Sequence, residues 1–353
     1  MTGDSSSIHA DARPGLRPSR LVYLMRDAIS RCQLDLSGRT IRTEAATGAY
    51  AVTPVIAAIA GAKKVFAVTK TTRHGTVEQV RAETKSLARI AGVEDKIEII
   101  TGKTREVVAQ TDIVTNSGHV RPIDAETINW MKPSAVVSLM YEAWEFRDTD
   151  VDLDACRRRG IAVAGTNERH PAIDVFSFLG VMAIKLLTDA GVAVYRSRIL
   201  LLCDNPFLPF LKAGLAAAEA DVRCVSTRIE LESTRNFANP YDVILVALTP
   251  RPAPVVGTET SLLSAQEIAE LYPTAVVAQF WGDIDRKSLT ARQIPHWPID
   301  PVPSGHMGIL PASIGPEPIV RLQAGGLKVG ELLARGSSGG EYGDDDLSYI
   351  QRF

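Results

Sequence analysis

The chain has 353 residues, 45% of them hydrophobic and 23% charged, with a formal net charge of −2. That length suits two domains of ordinary size, and the composition excludes a disordered, collagen-like or coiled-coil chain. The near-neutral balance leaves no basic footprint for nucleic acid and no attraction to an anionic membrane, so neither partner is expected.

The first twenty residues, with Ser5, Ser6, Ser7, Pro14 and Pro18, are polar and lack the apolar core of a secretory signal, so export is not expected. Residues 1–36 read as an N-terminal extension. From about Ser37, short β-branched runs alternate with amphipathic stretches, the pattern of parallel strands and their crossover helices. Strands are predicted over 40–44, 65–69, 96–100, 112–116, 135–140 and 161–164, with helices over 53–60 and 76–91. Thr76 and Gly92 supply the caps of the second helix. Residues 37–170 thus make a first domain. Residues 171–190 are apolar on nearly every side, which predicts a helix buried by both halves, within a joining segment over 171–195. The longest uncharged apolar run there, 175–184, falls far short of the roughly 20 residues that span a bilayer.

A second cycle fills 196–312, with strands over 198–203, 222–226, 242–248 and 275–279 and a helix over 206–218. A helix after Pro318, within 313–336, is predicted to cross back onto the first domain, and 337–353 reads as a flexible acidic tail. Cys32, Cys156, Cys203 and Cys224 are scattered, without metal-ligand spacing. They read as reduced thiols of a cytoplasmic protein, with no metal site. The two halves also echo each other. Asp112-Ile113-Val114-Thr115 followed by Ala135-Val136-Val137 is matched by Asp242-Val243-Ile244-Leu245 followed by Ala275-Val276-Val277. The predicted fold is therefore α/β: two Rossmann-like parallel-sheet domains joined by a buried interdomain helix.

Asp112-Ile113-Val114-Thr115-Asn116, the strand at 135–140, and the Asp-x-x-Ala-x-x-x-x-Gly-Ile-x-Val phrase at 152–163 resemble the first domain of D-2-hydroxyacid dehydrogenases. In the second half, the strands at 242–250 and 275–279, then Pro303-Ser304-Gly305-His306-Met307-Gly308, are similar to that family's nucleotide domain. Met131-Lys132-Pro133 with the strand after it is also similar to S-adenosylhomocysteine hydrolase. The resemblance covers about residues 100–335. It implies hydride transfer between NADP or NAD and a small carboxylate-bearing substrate at an interdomain cleft, with His306 handling the hydroxyl proton, and it implies a homodimer. The departures are specific. Where the family has Gly-x-Gly-x-x-Gly, this chain reads Leu202-Cys203-Asp204-Asn205-Pro206, without glycine and with an acid where phosphates should lie. Trp281 stands where the family has its catalytic arginine, and no counterpart of the catalytic glutamate presents itself.

The residues themselves suggest several sites. Thr47 and Gly48, before the helix at Thr53-Pro54, form the most glycine-compatible anion cradle, with a tight βα turn as the plain alternative. The second strands end in Lys70 and Arg73 in the first half and in Thr227 and Arg228 in the second. Neither tip carries an acid, which suits NADP at least as well as NAD. Asn205, Thr249 and Pro250, at strand ends of the second half, complete the expected cofactor contacts. His306 is the expected proton carrier and His119 occupies the matching turn of the first half. Glu142 and Asp283, each beside an aromatic residue at a strand end, are candidate acids, and Glu145, Arg147, Asp285 and Arg321 lie nearby in sequence or pattern. Helix capping competes with catalysis for Asp283 and Asp285. A second function stays open: a non-dehydrogenase protein on the same scaffold that binds a nucleotide or metabolite, which explains the lost glycines and arginine. A third, an S-adenosylmethionine site at 44–48, lacks the acid expected at the end of strand two.

Overall fold

Nearly every predicted run of β-branched residues forms a strand, because parallel strands covered on both faces need continuous apolar sequence. The computed structural model describes residues 13–233, 241–343 and 345–353. The chain divides into two units, one ending at Val175 and completed by Gly315–Phe353, the other formed by Phe176–Ile314. Among the described residues no helix is long and apolar enough to cross a membrane.

In the first unit, β1 (Thr40–Glu44), β2 (Lys64–Val68), β3 (Ile97–Ile100), β4 (Ile113–Thr115), β5 (Val136–Ser138) and β6 (Ala162–Thr166) are parallel, in the order β3-β2-β1-β4-β5-β6. Ile41 of β1 pairs with Val65 on one side and Ile113 on the other. The connection therefore reverses direction between β1 and β4, the place where open α/β sheets receive ligands. Helices α1 (Pro18–Cys32), α2 (Thr53–Ile59), α3 (Val77–Ala91), α4 (Arg105–Gln110), α5 (Ala125–Trp130) and α6 (Leu153–Arg159) belong to this unit. Thr76 and Gln79 form a reciprocal capping box at the start of α3, and Gly92 ends it with φ 77°. The C-terminal helix, Glu317–Ser337, packs on α1 and on β4, β5 and β6. Gly330 makes that approach possible, since a Cβ there would lie 2.5 Å from the Ile113 side chain.

Three segments differ from the sequence reading. The expected N-terminal extension contains α1, which buries Leu21, Met25, Ala28 and Cys32 at helical spacing. The helix expected from 171 starts only at Leu179, after a left-handed Asp174 (φ 51°) and a 3-10 turn, and it lies in the second unit. The expected acidic tail ends in the strand Ile350–Gln351, antiparallel to β6.

The second unit begins with α7 (Leu179–Asp189) and contains β7 (Arg198–Leu202), α8 (Leu208–Ala217), β8 (Asp221–Val225), α9 (Arg228–Ser233) and β9 (Val243–Ala247). The short pair β10 (Val256–Gly257) and β11 (Leu263–Ser264) follows, then α10 (Ala265–Leu271), β12 (Val276–Trp281), α11 (Arg286–Ala291) and β13 (His296–Trp297). The main sheet is parallel with order β8-β7-β9-β12-β13, reversing between β7 and β9. Helices α7 and α8 touch backbone to backbone at Gly180 and Gly214, where a Cβ on Gly180 would stand 2.6 Å from the Gly214 Cα.

Candidate functional site

In the second unit the reversal point is organised by the residues after β7. Asn205 donates from Nδ2 to the Ala247 carbonyl at 2.7 Å and accepts the Phe207 amide at 3.1 Å. Asp204 accepts the Thr249 amide at 2.7 Å and a guanidinium N–H of Arg251 at 3.2 Å. These contacts hold its carboxyl below the usual range against the opposing effect of burial. A carboxylate thus sits on the amide that a phosphate would seek, and Arg251 partly neutralises it. Cys203, beside it, is buried and its thiol is pushed up to about 11 by desolvation, so it is no thiolate nucleophile.

A cavity of about 810 Å³ opens at the carboxyl ends of β8 and β9, with Ser226, Thr227, Arg228, Leu248, Arg251 and Val255 among its walls. Thr227 accepts the Glu230 amide and so caps α9. Arg228 is paired with Glu267 and Glu232 on its own surface. Pro250 continues the loop that presents Thr249 and Arg251.

Asp283 and His306 are brought to one loop. Asp283 accepts the Ser304 hydroxyl at 2.5 Å and the Gly305 amide at 3.1 Å. The Trp281 indole donates to the Gly305 carbonyl at 3.2 Å. The turn before His306 is therefore fastened from below, and the imidazole is exposed with Nδ1 3.1 Å from the Ser304 carbonyl. Trp281 is buried and packs against Phe207, so it serves the core of the unit. Asp285 caps α11 through the amides of Lys287 and Ser288.

In the first unit, Thr47 donates to the His74 carbonyl at 3.1 Å, and the Gly48 amide donates to Glu83 at 3.0 Å. The expected cradle is thus satisfied within the chain, with Gly48 at φ 62°. Glu44, at the end of β1, is bonded by the amides of Gly118 and His119, yet burial dominates and its carboxyl is raised. Desolvation, and secondarily Lys70, lowers the His119 imidazole. Lys70 lines a small cavity together with Arg42, Lys103 and Arg121, whereas Arg73 turns to His74, its Nε 3.1 Å from the His74 ring.

At the ends of β5 and β6, Glu142 accepts from the Trp144 indole at 2.5 Å and the Gln351 amide at 2.9 Å, with Arg169 at 3.4 Å. Glu142 and Glu145 also cap one another's backbone. Burial, then the charge of Glu142, raises Glu145 to about 7, and burial raises Glu168 well above the carboxylate range, with Glu145 and Glu142 adding to it. Glu168 escaped the sequence reading, although its place two residues after β6 was a signal. Arg321 is tied to Glu317 and Asp174.

No protein-family model matches the sequence, and no curated protein is similar to it in sequence. Among solved structures, a dipicolinate synthase polypeptide from Bacillus halodurans is 14% identical with a TM-score of 0.52, over 82% of this chain and 96% of that one. A dipicolinate synthase polypeptide from Bacillus subtilis is 11% identical with a TM-score of 0.53, over 87% and 99%. A Polaromonas protein described as a D-isomer specific, NAD-binding 2-hydroxyacid dehydrogenase is 16% identical with a TM-score of 0.41, over 78% and 96%. The likeness to the two synthase polypeptides shows a divergent two-domain Rossmann architecture.

Proposed function

We propose that this protein is a nicotinamide-dependent oxidoreductase that acts on a small carboxylate-bearing substrate and carries its dinucleotide on the second unit. The supporting observation is the large cavity at the carboxyl ends of β8 and β9, beside the sheet's reversal point. Its walls offer hydroxyls from Ser226 and Thr227 and apolar surface from Leu248 and Val255 to the adenosine half of a dinucleotide, while Arg228 and Arg251 are paired with Glu267 and Asp204, and Glu259 and Glu270 also line the space. At the pyrophosphate end the residues fit less well, because Asp204 holds the Thr249 amide and no glycine is present in the turn.

Bound there, the nicotinamide would supply the hydride chemistry. The chain's own contribution is proton handling: a proton on His306 Nδ1, bonded to the Ser304 carbonyl, makes Nε2 the basic nitrogen that exchanges with a substrate hydroxyl. Asp283 is a positioning residue that fastens this turn.

Titrating the whole protein with NADPH and NADH, followed by nicotinamide fluorescence, should give saturable binding. Asp204→Asn keeps an acceptor for the Thr249 amide and removes the charge nearest the phosphates. It should tighten binding by about threefold to tenfold, the scale of one partly screened charge interaction. No saturable signal with either nicotinamide would overturn the reading.

A further inference from the structure

The small cavity of the first unit, about 180 Å³, lies at the carboxyl ends of β2 and β3 and against the loop that follows β4. Arg42, from the middle of β1, reaches it from inside the sheet. It is only 2% exposed, and neither Nε nor Nη1 has a hydrogen-bond partner among the described residues. An ionised guanidinium is almost never buried without an acceptor, because its desolvation goes uncompensated. Burial pulls Arg42 down to about 10, against the opposing pull of Asp124. Asp124 is already engaged: Lys103 Nζ lies 2.7 Å from both its oxygens, and the Thr127 amide and hydroxyl donate to it. Arg121 is likewise committed to Asp150 at 3.0 Å.

Two further donors belong to residues that line the same space. The Thr69 hydroxyl is fully buried and also unpartnered among the described residues. Lys70 stands exposed at the mouth, with no hydrogen bond or ion pair there among the described residues. The cavity therefore presents a buried guanidinium, a hydroxyl and an ammonium, and its one lining carboxylate is spent on Lys103.

We propose that this cavity is a binding site for a phosphate monoester dianion, held by Arg42, Thr69 and Lys70. Three separate donors match a tetrahedral oxyanion better than a planar carboxylate, and a dianion supplies the acceptors and the countercharge that Arg42 lacks. The volume has room for a phosphoryl group and the first atoms of whatever carries it. The phosphate site stands independently of the oxidoreductase reading, and its probe is not a nicotinamide, so either can fail alone.

The test is thermal unfolding and calorimetric titration of the whole protein with inorganic phosphate, against chloride and acetate at equal ionic strength. Phosphate should stabilise saturably and acetate should not. Lys70→Ala, at an exposed position, should weaken phosphate binding about tenfold, as expected for loss of a charge-assisted contact. Arg42→Met should melt higher than the parent in phosphate-free buffer, because an uncompensated buried charge is gone, and should lose the phosphate response. A merely structural Arg42 would give the opposite change in melting. The proposal is overturned if phosphate stabilises no more than chloride, or if Lys70→Ala leaves phosphate affinity unchanged. Displacement of phosphate by 2′,5′-ADP would assign the phosphoryl group to a nucleotide, and its failure to displace would assign it to a separate metabolite.

Discussion

Glu44 and Asp204 do the same thing in the two units. Each lies at or just after the end of its sheet's first strand and accepts an amide from the loop after the strand across the reversal point, Gly118 and His119 in one case and Thr249 in the other. Each unit thus satisfies, with its own carboxylate, backbone donors that a ligand phosphate would otherwise take. Carboxylates also set an expected pH response. In the unfolded chain Glu145 ionises near 4.5, and in the folded protein at about 7, raised first by burial and then by Glu142. The protonated form is the one the fold favours. Its contribution is present in full below 4.5 and is lost as the pH rises through 7; Glu168 acts in the same direction. Urea midpoints measured across that interval should fall with rising pH, and Glu145→Gln, which retains the acceptor for the Glu142 amide, should reduce the slope. Identical slopes in the two proteins would contradict the assignment.

At the scale of elements, helix ends follow local chemistry and helix contacts follow residue size. The box of Thr76 and Gln79 satisfies α3's first amides without help from the rest of the unit. The α7–α8 contact depends instead on the absence of two side chains. In Gly180→Ala the new methyl would meet backbone, which cannot rotate away, so the helices must separate. The expected cost is about 1–3 kcal/mol, the usual penalty of overpacking, and it outweighs the gain of up to about 1 kcal/mol from replacing a helical glycine. A chemical-denaturation curve for the variant decides the sign: a net gain in stability would mean that the helices do not touch there.

At the scale of the whole molecule, the second unit is one continuous stretch of chain, whereas the first is assembled from two. The C-terminal helix buries Ile319, Val320, Leu327 and Leu332, the last three in the same core as Ile41, Ile113 and Val136. Ile350–Gln351 then adds an edge strand, and Gln351 bonds both Glu142 and the Ala143 amide. Residues 176–314 expressed alone should therefore unfold cooperatively on heating, while residues 1–175 alone should not, because apolar surface on β4 to β6 and α1 would lie open. Circular dichroism melts of the two fragments test this directly; a cooperative transition in the second would show that the C-terminal segment is dispensable.

The repeated strand-and-helix rhythm, the cap residues of α3 and the doubling of a Rossmann-like unit were legible in the amino-acid order, because strand and helix periods act over a few neighbours. β1 was bounded at both ends from its residues alone. The Asp204 turn was also recognisable as unsuited to phosphate. The sequence did not tell which residues share a site. Arg42 drew no reading from the sequence, since it stands among polar residues in Thr40–Glu44 and only the sheet buries it without an acceptor, and Lys70 reads as a solvated strand end until the fold places it with Thr69 and Arg42 around one space. Asp283 became a support for the His306 turn only once two loops some twenty residues apart met. Local pattern acts through backbone geometry and hydrophobic period, whereas a site is made by unpaired charge and directed hydrogen bonds between distant segments, and only the folded chain brings those together.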